Sequence, residues 1–341
     1  MSDKVVTFGE IMMRLATPGF QRIVQAREFE VTYCGGEANV AASLANFGMD
    51  AYFVSKVPDS PVGQACINFC RQYGIKTDYM LKGGSRLGLY YLEAGASQRA
   101  SKVIYDRKGS AIAGASYEEF PWDEIFKGAA VFHVTGITPA ISDSAADAAL
   151  KAVQKAKEMG LTVSCDINFR KKLWSREKAR EVMSNIFKYV DIAIGNEEDT
   201  ENVFGIKAGV SDVTSGQIDE EGYCNVAREL REKFGLSKVA ITLRESFSAS
   251  DNGWSALLYD GKDFCFSKKY NIHIVDRVGG GDSFAGGLIY ALLKGYDSQR
   301  AVDFAAAASC LKHTIPGDFN LITLEEVENL LSGDGSGRVQ R

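Results

Sequence analysis

Asp276-Arg277-Val278-Gly279-Gly280-Gly281-Asp282-Ser283-Phe284 sets three consecutive glycines at the entrance of a strongly helical stretch. Glycines there let successive backbone N–H groups turn inward, and the positive end of the following helix favours an anion. An N-cap role would account for Asp282 but not for the glycine run. The segment matches neither a P-loop nor a dinucleotide fingerprint. If the anion is a transferring phosphoryl group, the loop would neutralise transition-state charge while Asp282, ionised at neutral pH, accepts a hydroxyl proton.

A second glycine pair, Gly35-Gly36, leads into a small-residue helix that carries Asn39. Either a ligand approaches the backbone there, with Asn39 offering donor and acceptor to a polyol, or the turn is simply tight. After the strand 161–166, Asp166, Asn168 and Arg170 alternate with apolar residues. An extended chain would project all three from one face, at the carboxyl edge where open α/β sheets bind ligands. Tyr105 and Arg107 share the i, i+2 spacing on another strand. Arg107 and Arg170, coming from separate elements, would suit bidentate capture of a carboxylate; the plainer alternative is a pair of solvated surface arginines. Asn196-Glu197-Glu198-Asp199 opens a helix and reads either as an N-cap with first-turn acids or as a cluster that organises Mg²⁺ and its waters.

The elements that must position these groups follow from the pattern. From about residue 129 short apolar runs alternate with segments of helical period: strands 129–135, 161–166, 189–195 and 238–243, helices 142–160, 175–189 and 226–235. That alternation predicts βαβ units and a parallel sheet covered on both faces. Segments 253–259 and 262–267 joined by Asp260-Gly261 predict a hairpin, and the chain from Asp282 to about Leu331 reads as helical. The N-terminal third breaks the rhythm, with strand-like patches at about 10–34 and 87–112 that predict one small sheet over the cleft, a lid. We therefore expect one α/β domain over 1–331 and a disordered tail over 332–341.

Length and composition agree. A chain of 341 residues, 45% hydrophobic and 24% charged, can bury a large core and is not disordered. The net charge of −5 gives no basic field for nucleic acid. Seven scattered cysteines without a CxxC pair, beside three histidines, argue against structural zinc and for reduced thiols. Cys66, Cys70 and His133 are expected in the core. Neither a leader nor a membrane-length apolar run is visible, so a cytoplasmic protein with no membrane partner is expected.

These segments, in this order, resemble the ribokinase-like, or PfkB, carbohydrate kinases to about residue 330. The resemblance rests on 276–284, Gly35-Gly36 with Asn39, and 196–199. It implies a Rossmann-like sheet flanked by helices, a β lid that supports a homo-oligomer, Asp282 as base and Gly279, Gly280 and Gly281 as anion hole. ATP is expected beside the 242–275 region and the C-terminal helices, touching Asn196, Thr242, Arg244, Gly279, Gly281 and His313. Mg²⁺ is expected at Asn196 and Asp199 through water, with a monovalent cation near the anion hole. Within the family, LGLYYLE, DINFRKKLW and LKHTIPGDFN are similar to the 2-dehydro-3-deoxygluconate kinases. That similarity implies Gly36, Tyr90, Tyr105, Arg107 and Arg170 as sugar-acid contacts, beside Gly35, Asn39, Asp166, Asn168 and Asp282. The signature has Arg277 and Gly280 where many members carry Thr and Ala, and Asp199 stands where glutamate is usual. The rival readings are a fructokinase-type enzyme acting on a neutral ketose and a catalytically silent sugar-binding regulator.

Overall fold

Val5, Val6 and Phe8 are fully buried, as a strand covered on both faces requires. The computed structural model describes residues 2–208 and 220–333. Following the chain, the strands are β1 (Lys4–Phe8), β2 (Met12–Ala16), β3 (Glu30–Cys34), β4 (Asp50–Val57), β5 (Met80–Lys82), β6 (Gly88–Glu93) and β7 (Lys102–Asp106). They continue with β8 (Val131–Thr135), β9 (Thr162–Asp166), β10 (Ile192–Gly195), β11 (Lys238–Ser246), β12 (Asp251–Tyr259), β13 (Phe264–Phe266) and β14 (Tyr270–His273). The helices are α1 (Gly36–Asn46), α2 (Pro61–Gln72), α3 (Trp122–Phe126), α4 (Asp143–Glu158), α5 (Arg176–Phe187), α6 (Glu197–Phe204), α7 (Glu220–Phe234), α8 (Gly280–Leu293), α9 (Ser298–Lys312) and α10 (Leu324–Ser332).

The large sheet runs β13-β12-β11-β10-β9-β8-β1-β4-β5, with β14 also paired to β12. Strands β11 through β5 in that order are mutually parallel, and the β12 edge is antiparallel. Two apolar clusters cover its faces, one built on α1, α2, α8 and α9 and the other on α3 to α7. Local chemistry places the helix starts: Ser142, Ser175, Asn196, Asp297 and Thr323 each accept a backbone N–H from the first turn. The α/β class and the second sheet agree with expectation.

The small sheet has the order β3-β2-β6-β7. Its register puts Thr32, Arg14, Tyr90 and Tyr105 in one row and Val31, Leu15, Tyr91 and Ile104 in the next, on opposite faces. Met12, Arg14 and Ala16 are buried against the main body. The turn between β6 and β7 also docks there: Ser97 N–H donates to Ser250 Oγ at 3.0 Å and Ala249 N–H to Ser97 O at 2.7 Å.

Several boundaries differ from expectation for identifiable reasons. Strand β7 stops at Asp106 because Arg107 and Ser110 turn inward to Glu10, so the stretch to 112 is not strand. Strand β14 is too short for its period to show in sequence. The C-terminal helical stretch breaks between Lys312 and Leu324, where Gly317 has φ +85°. Ser332 still belongs to α10, closed by left-handed Gly333, and the rest of the expected tail lies outside the described residues. Cys66, Cys70 and His133 are buried.

Candidate active site

At the carboxyl ends of β9, β10 and β11 a cleft of about 520 Å³ opens beneath the start of α8. It is lined by Asp166, Asn168, Arg170, Asn196, Asp199, Thr242, Arg244, Gly279, Gly280, Gly281, Asp282 and His313, residues singled out from sequence that lie far apart in the chain. A larger cavity of about 720 Å³ at the opposite sheet edge, lined by Val131, Ile192, Lys238 and Asp260 among others, contains none of them. The chemistry lies in the smaller one.

The glycine turn is built by close approaches. Gly279 has φ +83°, and a Cβ there would fall 2.1 Å from Asp318 O. At Gly280 a Cβ would meet His313 Cε1 at 2.4 Å, whereas at Gly281 it would point into open space. No side chain among the described residues caps α8, and Ser283 N–H is the first to bond back, to Gly279 O at 2.9 Å. Among the described residues the N–H groups of Gly280, Gly281 and Asp282 therefore have no protein acceptor, which is the arrangement an anion fills.

Asp282 stands in the first turn of α8. Its Oδ2 accepts Asn39 Nδ2–H at 2.6 Å, and Asn39 Oδ1 in turn accepts Gly35 N–H at 3.3 Å. The amide expected to face a polyol is spent on orienting the acid. Burial pushes the Asp282 carboxyl up to about 6, against the Asn39 hydrogen bond, with Asp318 adding to the rise and Arg170 and Lys312 opposing it. Gly36 faces the same group, since a Cβ there would lie 3.3 Å from Thr135 Cγ2 and 3.6 Å from Asp282 Oδ1.

Asp166, Asn168 and Arg170 all reach the cleft, but not by strand alternation. Strand β9 ends at Asp166, and Asn168 takes a left-handed conformation, φ 39°, that turns the chain. Burial, with Asp199 and Asp282 nearby, drives the Asp166 carboxyl well above its ordinary range. Asn196 Oδ1 caps α6 by accepting Asp199 N–H at 2.8 Å, and Asp199 Oδ1 accepts Phe169 N–H at 3.0 Å. Burial lifts Asp199 to about 6. No group of three His, Cys, Asp or Glu side chains among the described residues forms a metal cage. Glu197, Glu198, Asp199 and Asp166 all line the cleft, and carboxylates that form no closed cage suit a Mg²⁺ that keeps most of its water.

The other half of the cleft is cationic. Arg244 and Arg277 both line it, and among the described residues neither Arg244, Arg277 nor Arg170 pairs with a carboxylate. Burial and the neighbouring Arg244 lower the Arg277 guanidinium, a strain that a polyphosphate would relieve. Arg277 was not expected here; its place inside the signature, where the family commonly has threonine, was the available signal. His313 Nδ1 lies 2.6 Å from Ser309 O and its ring 5.1 Å from Trp254. Burial lowers it to about 4, so it is a neutral wall rather than a cation.

The lid residues are engaged with protein. Tyr90 donates to Asp318 at 2.8 Å, and Cys34 Sγ lies 3.3 Å from the same hydroxyl. Tyr105 is 40% exposed, with the Arg107 guanidinium 5.4 Å over its ring. Arg107 is buried against Glu10, donating Nε–H to Oε2 at 2.7 Å, and Ser110 donates to the other oxygen. Sequence reasoning missed Glu10, and it missed Arg14 and Asp318, which meet in a buried ion pair.

A family pattern described as "pfkB family carbohydrate kinase" matches residues 2–321. A 2-dehydro-3-deoxygalactonokinase from Haloferax volcanii is 33% identical over 99% of both chains. A 2-dehydro-3-deoxygluconokinase from Bacillus subtilis is 28% identical, covering 97% of this chain and 96% of its own. The crystal structure of 2-dehydro-3-deoxygluconokinase from Thermotoga maritima superposes with a TM-score of 0.93 at 52% identity, over 97% of this chain and 99% of that one.

Proposed function

The chain belongs to the pfkB family of carbohydrate kinases, and from that premise we propose that it transfers the γ-phosphoryl group of ATP to the 6-hydroxyl of 2-dehydro-3-deoxy-D-gluconate, giving 2-dehydro-3-deoxy-6-phosphogluconate. The observation that carries this reading is Asp282, oriented by Asn39, on the same turn as the unsatisfied N–H groups of Gly280 and Gly281. The 52% identity to a protein named for that reaction directs the choice of sugar.

In this reading Asp282 takes the proton of the 6-hydroxyl as its oxygen attacks the γ-phosphorus, and the bond to the β-phosphate oxygen breaks. The glycine turn donates to the oxygens on which charge develops. Arg244 and Arg277 hold the polyphosphate, with Thr242, Asn196 and His313 lining its path. Mg²⁺, held through water by Asp199 and its acidic neighbours, neutralises phosphate charge when bound. Arg170 meets the sugar carboxylate, with Asp166 and Asn168 beside the hydroxyls and Gly36 leaving room for the sugar next to Asp282. Tyr90, Tyr105 and Arg107 close the site from the lid.

One observation favours the neutral-ketose alternative: Glu10 already balances the Arg107 charge. Release of ADP with 2-dehydro-3-deoxygluconate, its galactonate epimer, fructose and ribose separates the readings, with Asp282→Asn as control. Turnover confined to the keto-deoxy acids supports the proposal; preference for fructose overturns the choice of sugar. The outer lid row carries half-exposed Val31 and Ile104 across four strands, an apolar face that supports pairing of two copies through their lids.

A further inference from the structure

The dipeptide Ala249-Ser250, in the turn between β11 and β12, is held from two sides. Towards the lid, Ala249 N–H donates to Ser97 O at 2.7 Å and Ser250 Oγ accepts Ser97 N–H at 3.0 Å. Towards the glycine signature, Ala249 O accepts Arg277 Nη2–H at 3.0 Å and Ser250 O accepts Ile274 N–H at 2.7 Å. Hydrogen bonds thus run from one residue of the lid, through two residues of the turn, to the segment that leads into Gly279. The turn itself is set by Ser248 Oγ, which accepts Ser250 N–H at 3.0 Å and Asp251 N–H at 2.9 Å.

Ser97 meets this dipeptide in a disfavoured conformation. Ala96 and Arg99 exchange both main-chain hydrogen bonds at 2.9 Å, which makes Ser97-Gln98 a two-residue hairpin turn between β6 and β7. Ser97, its first central residue, has φ 52°, a left-handed conformation that glycine ordinarily takes in such a turn. Among the described residues Asn168 is the only other non-glycine with φ in that region, and it lines the cleft. Ser97 is exposed, so packing of its side chain does not impose the conformation. The conformation instead lets the N–H and C=O of one residue both face Ala249-Ser250.

The far end of this route is Arg277. It lines the cleft beside Arg244, whose like charge opposes it, and among the described residues its one hydrogen bond is to Ala249 O. A planar guanidinium tethered at a single carbonyl is aimed by that carbonyl. The carbonyl is fixed in turn by the bonds from Ala249 and Ser250 to Ser97.

We infer that Ser97 is a positioning residue of the nucleotide site: the tip of the lid hairpin fixes Ala249, and Ala249 aims Arg277 at the polyphosphate. The hairpin whose strands carry Tyr90 and Tyr105 therefore serves the nucleotide half of the cleft as well as the sugar half. The inference rests on the kinase reading for the identity of the anion, while the route from Ser97 to Arg277 is tested separately from it.

The test is titration of the full chain with ADP and Mg²⁺ by calorimetry. Valine is β-branched and does not adopt a left-handed φ, so Ser97→Val should undock the hairpin tip and weaken ADP binding about 3- to 10-fold. Ser97→Gly keeps both main-chain groups without the strain and should bind ADP to within about twofold of wild type. Ser250→Ala removes the acceptor of Ser97 N–H from the other side; it should weaken ADP about twofold or more, and it carries the test if Ser97→Val fails to fold. In an Arg277→Ala background Ser97→Val should add less than about twofold, because the group it positions is gone. A full further loss in that background would assign Ser97 to general packing of the turn and overturn the inference. Unchanged ADP affinity in both Ser97→Val and Ser250→Ala, or an equal loss in Ser97→Gly, would overturn it too. If the wild type binds no ADP the kinase reading fails and the inference with it, whereas ADP binding indifferent to Ser97 sinks the inference alone.

Discussion

Asn39 Nδ2 lies 2.6 Å from Asp282 Oδ2, joining the second turn of α1 to the first turn of α8. The bond favours the ionised acid, and burial opposes it, leaving Asp282 at about 6. A base must be ionised to act, so kcat/KM should fall as pH drops below about 6. Replacing Asn39 by Leu removes a donor to the charged form, raises the Asp282 pKa and should move the acid limb to higher pH. Asp282→Asn should lower kcat by about 10²–10⁴-fold. A pH–rate profile of the three proteins checks this; an unmoved acid limb in Asn39→Leu would show that another group sets it.

The two arginines offered for the sugar carboxylate differ in what else they hold. Arg107 balances buried Glu10, so Arg107→Ala leaves an uncompensated charge that should cost about 3–5 kcal/mol of stability. Among the described residues Arg170 donates only to the Phe169 carbonyl, at 3.2 Å, and forms no ion pair, although its charge acts on the Asp166, Asp199 and Asp282 carboxyls, so its loss should lower the melting temperature less than that of Arg107. Arg170→Ala is thus the cleaner probe: KM for the acid sugar should rise about tenfold or more, and KM for a neutral analogue little. Equal rises for both sugars would remove the carboxylate argument.

Adjacent glycines should separate packing from function. A methyl at Gly280 meets His313, whose ring is held by Ser309 and Trp254, so Gly280→Ala should cost about 1–3 kcal/mol and activity together. A methyl at Gly281 touches none of the described residues, and Gly281 lines the cleft. Gly281→Ala should keep the wild-type melting temperature while losing ATP affinity or kcat. Melting curves beside initial rates distinguish the two.

The sheet, the lid and most of the cleft were legible because their signals are local. Parallel strands read as apolar runs, and glycine turns stand out whatever surrounds them. Residues that act through distant partners were not. Asn39 was visible as polar but its bond to Asp282 spans 243 residues of sequence. Asn168 was expected on an extended strand; its left-handed turn depends on packing that periodicity does not encode. Arg14 left one usable trace, a cation at the buried parity of the strand Met12-Met13-Arg14-Leu15-Ala16, where only an internal partner makes sense. That partner, Asp318, lies 304 residues away.

His133 should govern stability in acid. It is fully buried within β8, with Nδ1 3.1 Å from Ser164 Oγ and, among the described residues, no partner for Nε2, and burial lowers it to about 3 from an ordinary 6.5. Below pH 6.5 the unfolded chain takes up a proton that the folded protein refuses, so stability falls as pH drops from 6.5 towards 3, by up to about 5 kcal/mol in total. Glu37 works in the opposite sense. It is buried, accepts hydrogen bonds from Thr135 and Thr138, and is pushed up to about 7 from 4.5, so the folded state holds its proton more tightly and gains stability as pH falls from 7 to 4.5. Glu37 opposes His133 down to about pH 4.5, and Asp199 and Asp282, each at about 6 against an ordinary 3.8, oppose it down to about 3.8, while His313, lowered to about 4, acts in the same sense as His133. The share that belongs to His133 is therefore read by difference, from denaturant unfolding between pH 7 and 3.5. In His133→Asn, which keeps a hydrogen-bonding atom towards Ser164 but does not titrate, the loss of stability from pH 6.5 towards 3.5 should be smaller than in the wild type, whatever the variant's absolute stability. An unchanged slope would assign the acid loss to other groups.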